Sequence, residues 1–220
     1  MIKKILFWLA VLVVLVYAFF GACIVMLKWV TPFTTSVQAQ RRVESWIAHK
    51  PYTKRYKPVP MKGISRELQH SVVAAEDTRF REHNGIDWKE VQKVIDEELD
   101  EGGKPRGAST ITQQLVKNLF LTTKRSYVRK GFEFTLVPLV EGILGKDRIL
   151  ELYLNVIEWG PGVFGAEAAA AYHYKTTAGK LSREQAARLA AIIPNPIRRR
   201  PERMGSYAEV IEARMRQMGW

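Results

Sequence analysis

One uncharged apolar stretch stands out in the hydrophobic pattern of the chain. It covers Ile5–Leu27 without a charged side chain, and Lys3 and Lys4 precede it. About 20 apolar residues in a helix span a bilayer core of ~30 Å, and basic residues on a short leading side favour a cytoplasmic N-terminus. The pattern predicts a cytoplasmic tail at residues 1–4 and a transmembrane anchor at residues 5–27. A cleaved signal peptide is the alternative, but its apolar region is typically only ~7–15 residues long.

After the anchor, the pattern changes first to a proline-rich segment and then to helical periodicity. Residues 31–63 contain four prolines and predict a linker with one short helix over Val37–His49. We place the linker and juxtamembrane segment at residues 28–60 and a single domain at residues 61–220.

Helix start and stop signals recur throughout this domain. Apolar residues from Ile149 to Ile157 follow a helical stripe, which Gly160-Pro161-Gly162 ends. No segment shows strand alternation or a hairpin signal, so we predict an all-α fold. Three capping boxes, each a hydroxyl residue followed three positions later by an amide or carboxylate, predict further helix starts. They are Thr110-x-x-Gln113, Ser182-x-x-Gln185 and Ser206-x-x-Glu209.

Composition narrows the class of protein. The chain of 220 residues is 47% hydrophobic and 25% charged, which excludes an intrinsically disordered protein. Its single cysteine excludes an internal disulfide framework, and its four histidines include no pair at zinc-ligand spacing. The 34 Lys and Arg residues against 22 Asp and Glu give a net charge of +12, which favours anionic partners. Nucleic acid is not expected among them, because a domain outside the cytoplasm does not normally meet it.

One acidic run interrupts this basic background. Residues 96–101 carry five carboxylates and are followed by Gly102-Gly103. The expected structure is a solvated helix end followed by a loop.

The first segment with candidate chemistry begins at Glu76. On a helix, Glu76, Phe80 and His83 share one face, so the carboxylate is expected beside an aromatic wall. Apolar surroundings raise the pKa of a carboxyl and make it a usable proton acceptor near neutral pH. The alternative is an ordinary solvated carboxylate, since most Glu side chains lie on the surface.

The second segment covers Ser109 to Lys117 at the start of a predicted helix. It holds three hydroxyl side chains, two adjacent glutamines and a lysine, where backbone N–H groups and the helix dipole favour anions. The functional interpretation is a pyrophosphate or sugar-hydroxyl site. A well-capped amphipathic helix is the alternative, although Gln113-Gln114 and Lys117-Asn118 have no evident capping use.

The third segment, residues 124–133, holds four cations and one carboxylate. Arg129 and Glu133 lie at i and i+4, so they can form a simple helix salt bridge worth a few tenths of a kcal/mol. A cluster this dense, beside the helix that carries Lys117, can instead neutralise a diphosphate.

In this order, the three segments closely resemble the signatures of the biosynthetic peptidoglycan glycosyltransferases, glycosyltransferase family fifty-one. Two more signatures follow, and the resemblance covers roughly residues 60–200. The five signatures are Glu76-Asp77-x-x-Phe80-x-x-His83-x-Gly85-x-Asp87; Gly107-x-Ser109-Thr110-Ile111-Thr112-Gln113-Gln114; Arg129-Lys130-x-x-Glu133; Arg148-Ile149-Leu150-Glu151-x-Tyr153-Leu154-Asn155 with Gly160-x-Gly162-x-x-Gly165; and Leu181 through Leu189 to Pro194.

The resemblance implies a fold and a reaction. The fold is an α-helical, lysozyme-like glycosyltransferase domain with a smaller membrane-associated lobe. The reaction is the polymerisation of lipid II into glycan strands, with release of undecaprenyl diphosphate. Glu76 is then the base that activates the acceptor sugar 4-hydroxyl, and Glu133 is a second functional carboxylate at the diphosphate. The implied substrate-binding residues are Ser109, Thr110, Gln113, Gln114, Lys117, Asn118, Arg125, Arg129 and Lys130.

The resemblance also implies a cellular setting. The expected partners are lipid II, the growing lipid-linked glycan strand and membrane lipids, with other cell-wall synthesis proteins left open. No cofactor is firmly implied, and a divalent cation, Mg²⁺ or Mn²⁺, at the diphosphate is left open. The expected location is the bacterial cytoplasmic, or inner, membrane, with the catalytic domain outside the cytoplasm. Because the chain ends at Trp220, without length for a transpeptidase domain, it resembles the monofunctional form.

The sequence leaves two other classes of function open. A membrane-anchored, wall-degrading lysozyme-like enzyme shares a helical body with acidic residues, but glycosidases usually need a carboxylate pair rather than cations at a phosphate. A non-catalytic anchored module that binds wall polymer needs basic charge, yet it has no use for Glu76 or Glu133 in a cleft.

Overall fold

The computed structural model describes the backbone of residues 1–101 and 109–220 and the side chains of residues 1–97 and 109–220. Gly107, the first residue of the second signature, lies outside the described residues. The loop expected at Gly102-Gly103 also lies outside them.

Within these residues the chain is mostly helical, which confirms the predicted all-α fold class. Three very short strands form one small sheet, β1 (Arg55–Tyr56), β2 (Glu158–Gly160) and β3 (Val163–Phe164). The acidic run forms the end of a helix, as predicted. The helices are α1 (Ile2–Met26), α2 (Ser36–Ile47), α3 (Arg66–Glu76), α4 (Trp88–Glu101), α5 (Ile111–Phe120), α6 (Tyr127–Leu144), α7 (Lys146–Val156), α8 (Ala166–Tyr174), α9 (Arg183–Ala190) and α10 (Gly205–Gln217).

Helix α1 matches the predicted anchor. In the described part of the chain it is the one helix long and apolar enough to cross a membrane. Most of its side chains are exposed, but its second half packs on α6, where the Tyr17 hydroxyl donates to Thr135 Oγ1 at 2.7 Å. The rings of Phe20 and Phe120 also meet edge to face at 5.4 Å between centroids. The anchor is therefore in contact with the domain as well as with its linker.

Helix α5 lies at the centre of the domain. It packs against α2, α6 and α7, and its side chains Ile111, Leu115 and Val116 are fully buried. Each fully buried aliphatic side chain of this kind stabilises the fold by roughly 1.5–3 kcal/mol. Helices α3, α9 and α10 form a second packed group. The end of α3 meets the start of α5, so the two groups join beside the first two signatures.

Two of the three predicted capping boxes are confirmed. Thr110 accepts from the Gln113 backbone N–H at the start of α5, and the Gln113 side chain accepts in return from the Thr110 N–H. Ser182 and Gln185 make the same pair of bonds at the start of α9.

The third predicted cap, at Ser206, is wrong. A short turn over Pro201–Arg203 leads directly into α10, and the Met204 carbonyl already accepts from the Ala208 N–H at 2.8 Å. The helix therefore begins at Gly205, and Ser206 lies inside its first turn.

The small sheet was missed in the sequence because its strands are too short to show alternation. Strand β3 pairs in parallel with β1 and antiparallel with β2. Gly160-Pro161-Gly162 thus connects two strands, while the preceding helix α7 already ends at Val156.

The predicted linker helix is confirmed as α2, and the rest of the linker is tied to the domain. Strand β1 belongs to the sheet, and Asn155 on α7 makes two hydrogen bonds to the backbone of Val59, at 2.8 and 2.9 Å. On α2, Arg41 pairs with Glu158 at 2.9 Å. The boundary at residue 60 stays a prediction.

Gly165, between β3 and α8, provides a test of this packing. Its φ is +82°, and an added Cβ would lie 2.5 Å from the carbonyl oxygen of Asn155. We expect Gly165→Ala to lower the free energy of unfolding by ~2 kcal/mol or more, through the left-handed backbone and the contact with a fixed carbonyl. A lower Tm of the full chain in detergent would be the measured result.

Gly142→Ala is the matched control. Gly142 lies on the exposed side of α6, and an added Cβ would meet no atom within 4 Å. In a helix, Ala in place of Gly stabilises by roughly 0.5–1 kcal/mol. The same Tm for both variants would contradict the role given to Gly165.

Candidate active site

A cleft of about 730 Å³ opens where α3, α5 and α10 approach one another. Tyr207 and Arg214 contribute to it from α10. Its remaining walls include the end of α3 and the start of α5, so it joins the first two signatures. The sequence-predicted site residues that line it are Glu76, Ser109, Thr110, Gln114 and Lys117.

Glu76 is the last residue of α3, and a neutral amide holds its carboxylate. Gln114 Nε2 donates to Glu76 Oε2 at 2.7 Å. Burial raises the pKa of the Glu76 carboxyl, whereas the hydrogen bond from Gln114 and the charge of Lys117 act to lower it, and the net direction is upward. A carboxyl of this kind beside an open cleft is suited to accept a proton near neutral pH.

The expected helical face of Glu76, Phe80 and His83 is wrong. Helix α3 ends at Glu76, and Asp77 leaves helical geometry with φ −164°. Phe80 is fully buried, and its ring centroid lies 4.5 Å from Lys146 Nζ. Burial of Glu76 therefore comes from the junction of α3 with α5, because its own helix supplies no aromatic wall.

Asp77 fastens this junction. Its Oδ2 accepts from the Ile111 N–H at 3.0 Å, and its Oδ1 lies 2.9 Å from His83 Nε2. Because His83 Nδ1 accepts from the Gly85 N–H at 3.1 Å, the proton of the neutral ring is on Nε2 and is donated to Asp77. The pair therefore fixes the end of α3, with Glu76, against the start of α5.

A third residue, Asp87, lies close enough to Asp77 and His83 for the three to resemble a metal site. One ligand atom from each of Asp77, His83 and Asp87 lies within 4.8 Å of the others. However, Asp87 Oδ1 accepts from Arg79 Nη1 and from the Glu90 N–H, both at 3.0 Å. Since these groups already have hydrogen-bond partners, the cluster is explained as a structural hydrogen-bond network that holds the end of α3 in place.

The third signature forms a second cluster on α6. Glu133 is buried, and its carboxylate accepts from Arg129 Nη1 at 2.6 Å and from Lys130 Nζ at 2.5 Å. Lys130 Nζ also donates to Ser109 Oγ at 3.2 Å, just before α5 begins. The Arg129–Glu133 contact is thus part of a network that reaches the cleft, and not an isolated salt bridge.

Charged groups around Glu76 and around Glu133 both act on Lys117. Burial lowers the pKa of its ammonium, while the carboxylates of Glu133 and Glu76 raise it and Arg129 lowers it. Across residues 1–97 and 109–220, this ammonium makes no hydrogen bond or ion pair. Its three donors are therefore available to a ligand in the cleft, and an anion suits them best.

Other predicted site residues have structural partners. The interpretation that Gln113 has no capping use is wrong, because it completes the capping box of α5 with Thr110. The Thr110 hydroxyl also donates to the Gly85 carbonyl at 2.5 Å. Asn118 Nδ2 donates to the backbone carbonyl of Gln114 at 2.8 Å. Of these side chains, Thr110 alone reaches the cleft.

Arg125 stands apart from the cluster. It is exposed in the loop between α5 and α6 and makes no hydrogen bond or ion pair within the described chain. The structure therefore groups Arg129, Lys130 and Lys117 but leaves Arg125 outside this network.

Sequence reasoning missed two residues that influence Glu76. Tyr153 on α7 appeared only as part of a signature and an apolar stripe, yet its hydroxyl donates to Gln114 Oε1 at 2.9 Å. The Arg199 charge acts to lower the pKa of Glu76. One signal pointed to Tyr153, since it is the one residue with a hydroxyl in an otherwise aliphatic stripe. Arg199 lies in a run of arginines that gives no such signal.

Comparison with known proteins adds the family. Residues 43–218 match the transglycosylase family. A relative from Pseudomonas entomophila (strain L48) is 45% identical over 90% of this chain and 85% of its own length. Relatives from Pseudomonas putida (strain W619) and Pseudomonas aeruginosa (strain PAO1) are 42% and 41% identical, over 99% of this chain and 91% and 90% of their own lengths. All three are named biosynthetic peptidoglycan transglycosylase. The chain therefore belongs to the transglycosylase family and is a glycosyltransferase.

Proposed function

We propose that this chain builds peptidoglycan by polymerising lipid II, with Glu76 and Lys117 acting on opposite sides of the new bond. One observation carries the proposal: the partly buried carboxylate of Glu76 and the partly buried ammonium of Lys117, which has no partner among the described residues, line the same cleft. The names of the relatives support lipid II and the glycan strand as substrates.

Glu76 acts on the acceptor sugar. Its carboxylate takes the proton of the 4-hydroxyl as that oxygen bonds to the anomeric carbon of the donor. The bond from the anomeric carbon to the diphosphate breaks, and undecaprenyl diphosphate leaves with the bonding electrons. The raised pKa makes Glu76 a better proton acceptor than an ordinary carboxylate, and the Gln114 bond limits the rise.

The cations act on the leaving group. Lys117, Arg129 and Lys130 outnumber Glu133, so positive charge remains where the diphosphate develops negative charge. Glu133 binds Arg129 and Lys130 directly, so its role is to hold these two cations in place. Lys117 has no partner within the described residues, so it is available for direct contact with a phosphate oxygen.

The donor set around Glu133 does not suit a resident divalent cation. Mg²⁺ needs several oxygen ligands, whereas both oxygens of Glu133 already bind cations. Charge neutralisation at the diphosphate therefore falls to the side chains of Lys117, Arg129 and Lys130.

The two alternative classes of function are not favoured. A glycosidase needs a second carboxyl as acid or nucleophile. The carboxylate of Asp77, next to Glu76, already accepts hydrogen bonds from the Ile111 N–H and from His83. The carboxylate of Glu133 already accepts from Arg129 and Lys130. A simple polymer-binding module gives no reason to bury Glu76 in a cleft at a cost in desolvation.

The anchor suits a lipid-linked substrate, because enzyme and substrate then diffuse in one plane. We place α1 in the bacterial inner membrane, with its N-terminus in the cytoplasm and the domain outside. Lys3 and Lys4 before the apolar segment support this orientation. Membrane lipids are its neighbours, and further cell-wall synthesis proteins are open as partners.

The first prediction of this proposal concerns the base. Gln cannot accept a proton as a carboxylate does but keeps the size of Glu, so Glu76→Gln is expected to lower polymerisation ~10²-fold or more. The measurement is gel separation of the products formed from labelled lipid II by purified full chain in detergent, with Tm as a check on folding.

Glu82→Gln is the matched control for the base. Glu82 is exposed, and its carboxylate pairs with Arg79 at 3.0 Å, so this exchange should leave the rate close to wild type. A Glu76→Gln protein that polymerises at the wild-type rate would remove Glu76 from the mechanism.

The second prediction concerns the leaving group. Lys117→Ala removes a cation where negative charge develops, and we expect turnover to fall by roughly 10²-fold while Tm changes little. Lys180→Ala, at an exposed lysine away from the cleft, should have no such effect. If both variants kept full turnover, Lys117 would have no role at the diphosphate.

The third prediction concerns orientation. A reporter that is active only outside the cytoplasm should be active when it is fused after Trp220. An inactive external reporter together with an active cytoplasmic reporter at the same position would show the reverse topology.

A further inference from the structure

We propose that Tyr153 is a positioning residue for the base, because its hydroxyl holds the Gln114 amide in the orientation that stabilises ionised Glu76. The inference rests on the proposed role of Glu76. It adds a residue that touches neither sugar nor diphosphate and acts only through Gln114.

The geometry is a chain of two hydrogen bonds across three helices. The Tyr153 hydroxyl, on α7, donates to Gln114 Oε1 at 2.9 Å. Gln114 Nε2, on α5, donates to Glu76 Oε2, at the end of α3, at 2.7 Å. Tyr153 is fully buried, so bulk water does not compete for the first bond.

The direction of both bonds follows from the available protons. Burial and the charge of Glu76 raise the pKa of Tyr153 well above its ordinary value, so the hydroxyl keeps its proton and can donate it. An amide oxygen can only accept, so Tyr153 binds that end of Gln114 and the NH₂ group turns to Glu76. The facing oxygen of Glu76 can accept from this NH₂ group when the carboxyl is ionised, or when that oxygen is the carbonyl oxygen of the protonated form. The bond is stronger to the ionised form and therefore favours it.

The oxygen and the NH₂ group of the Gln114 amide are similar in size. Without the Tyr153 hydroxyl, the hydrogen bond that distinguishes the two ends is lost. The Gln114 amide can then rotate by half a turn and present Oε1 to Glu76. An oxygen in that place repels a carboxylate but accepts from a protonated carboxyl, so rotation would stabilise the protonated base. The expected effect of losing the hydroxyl is therefore a higher pKa of Glu76.

Other charged and titratable groups near Glu76 do not replace this control. Within the described residues, Gln114 is the one hydrogen-bond donor to the Glu76 carboxylate. Several groups act on Glu76 through charge or line the same cleft, and a change at Tyr153 leaves all of them in place. They are Asp77 beside it, Lys117 on α5, Arg199 after α9, Tyr207 and Arg214 on α10, and Asp87, Glu90 and Lys93 at the start of α4.

The test is the pH dependence of kcat/KM for Tyr153→Phe, with labelled lipid II and the full chain in detergent. Activity is lost on the acid side as Glu76 takes up a proton, so a higher pKa moves this limb to higher pH. We expect an upward shift of about one pH unit, the size of one hydrogen bond to a charged group. At pH values above the limb, the rate should approach that of the wild type.

Tyr174→Phe is the matched control, because the Tyr174 hydroxyl is buried and has no partner within the described residues. Its limb should not move. A second pair of variants separates an effect through the Gln114 amide from an effect of packing. The pair is Gln114→Met alone and Gln114→Met together with Tyr153→Phe. Because the amide is absent from both, the acid limb should lie at the same pH in the two variants. This comparison keeps its meaning even if the aromatic exchange lowers stability, since it concerns the limb and not the rate.

Three results overturn or redirect the inference in different ways. An unchanged acid limb in Tyr153→Phe, or a rate lowered equally at every pH, would reduce Tyr153 to a packing residue. An equal limb shift with and without Gln114 would mean that Tyr153 acts on Glu76 without the amide. A wild-type rate for Glu76→Gln in the same assay would instead defeat the proposed base, independently of Tyr153.

Discussion

The cleft depends on keeping its opposite charges apart. A carboxylate and an ammonium group at close range in a poorly hydrated site attract strongly, and a direct pair between Glu76 and Lys117 would leave neither group available to a ligand. The structure avoids this by giving Glu76 a neutral partner, Gln114, and by giving Arg129 and Lys130 their own carboxylate, Glu133. The Glu76 carboxylate and the Lys117 ammonium, which has no partner within the described residues, are therefore both available to a ligand in the cleft.

The parts of the fold that the sequence predicts well are those set by local interactions. The capping boxes of α5 and α9 need only a hydroxyl and an amide three residues apart, and the anchor needs only length and apolar composition. The start of α10 was misplaced because the turn before it, at Pro201–Arg203, already supplies the first helical carbonyl acceptor. The small sheet escaped detection because two paired residues carry no pattern.

The candidate site was only partly predictable, for a related reason. Residue types and spacing pointed to Glu76 and Lys117, but the helix expected to continue through Phe80 ends at Glu76, because Asp77 turns away to bind the start of α5. That bond joins segments far apart in the chain, and so does the bond from Tyr153 to Gln114. Periodicity describes neighbours along one element, so it cannot report which side chains meet across elements.

Helix α6 connects the charge separation in the cleft to the membrane anchor. Phe132 and Thr135 contact Tyr17 of α1, while Arg129 and Glu133, on another face of the same helix, belong to the cluster that reaches the start of α5. Both sets of residues lie within about two turns of α6, so one short stretch of this helix carries the cation cluster and the contact with the anchor. A diphosphate that remains attached to a membrane lipid has little freedom to leave the interface. The α1–α6 contact therefore keeps the cation cluster beside the helix that is apolar enough to cross a membrane, which is where the proposed function requires a lipid-linked donor to be met.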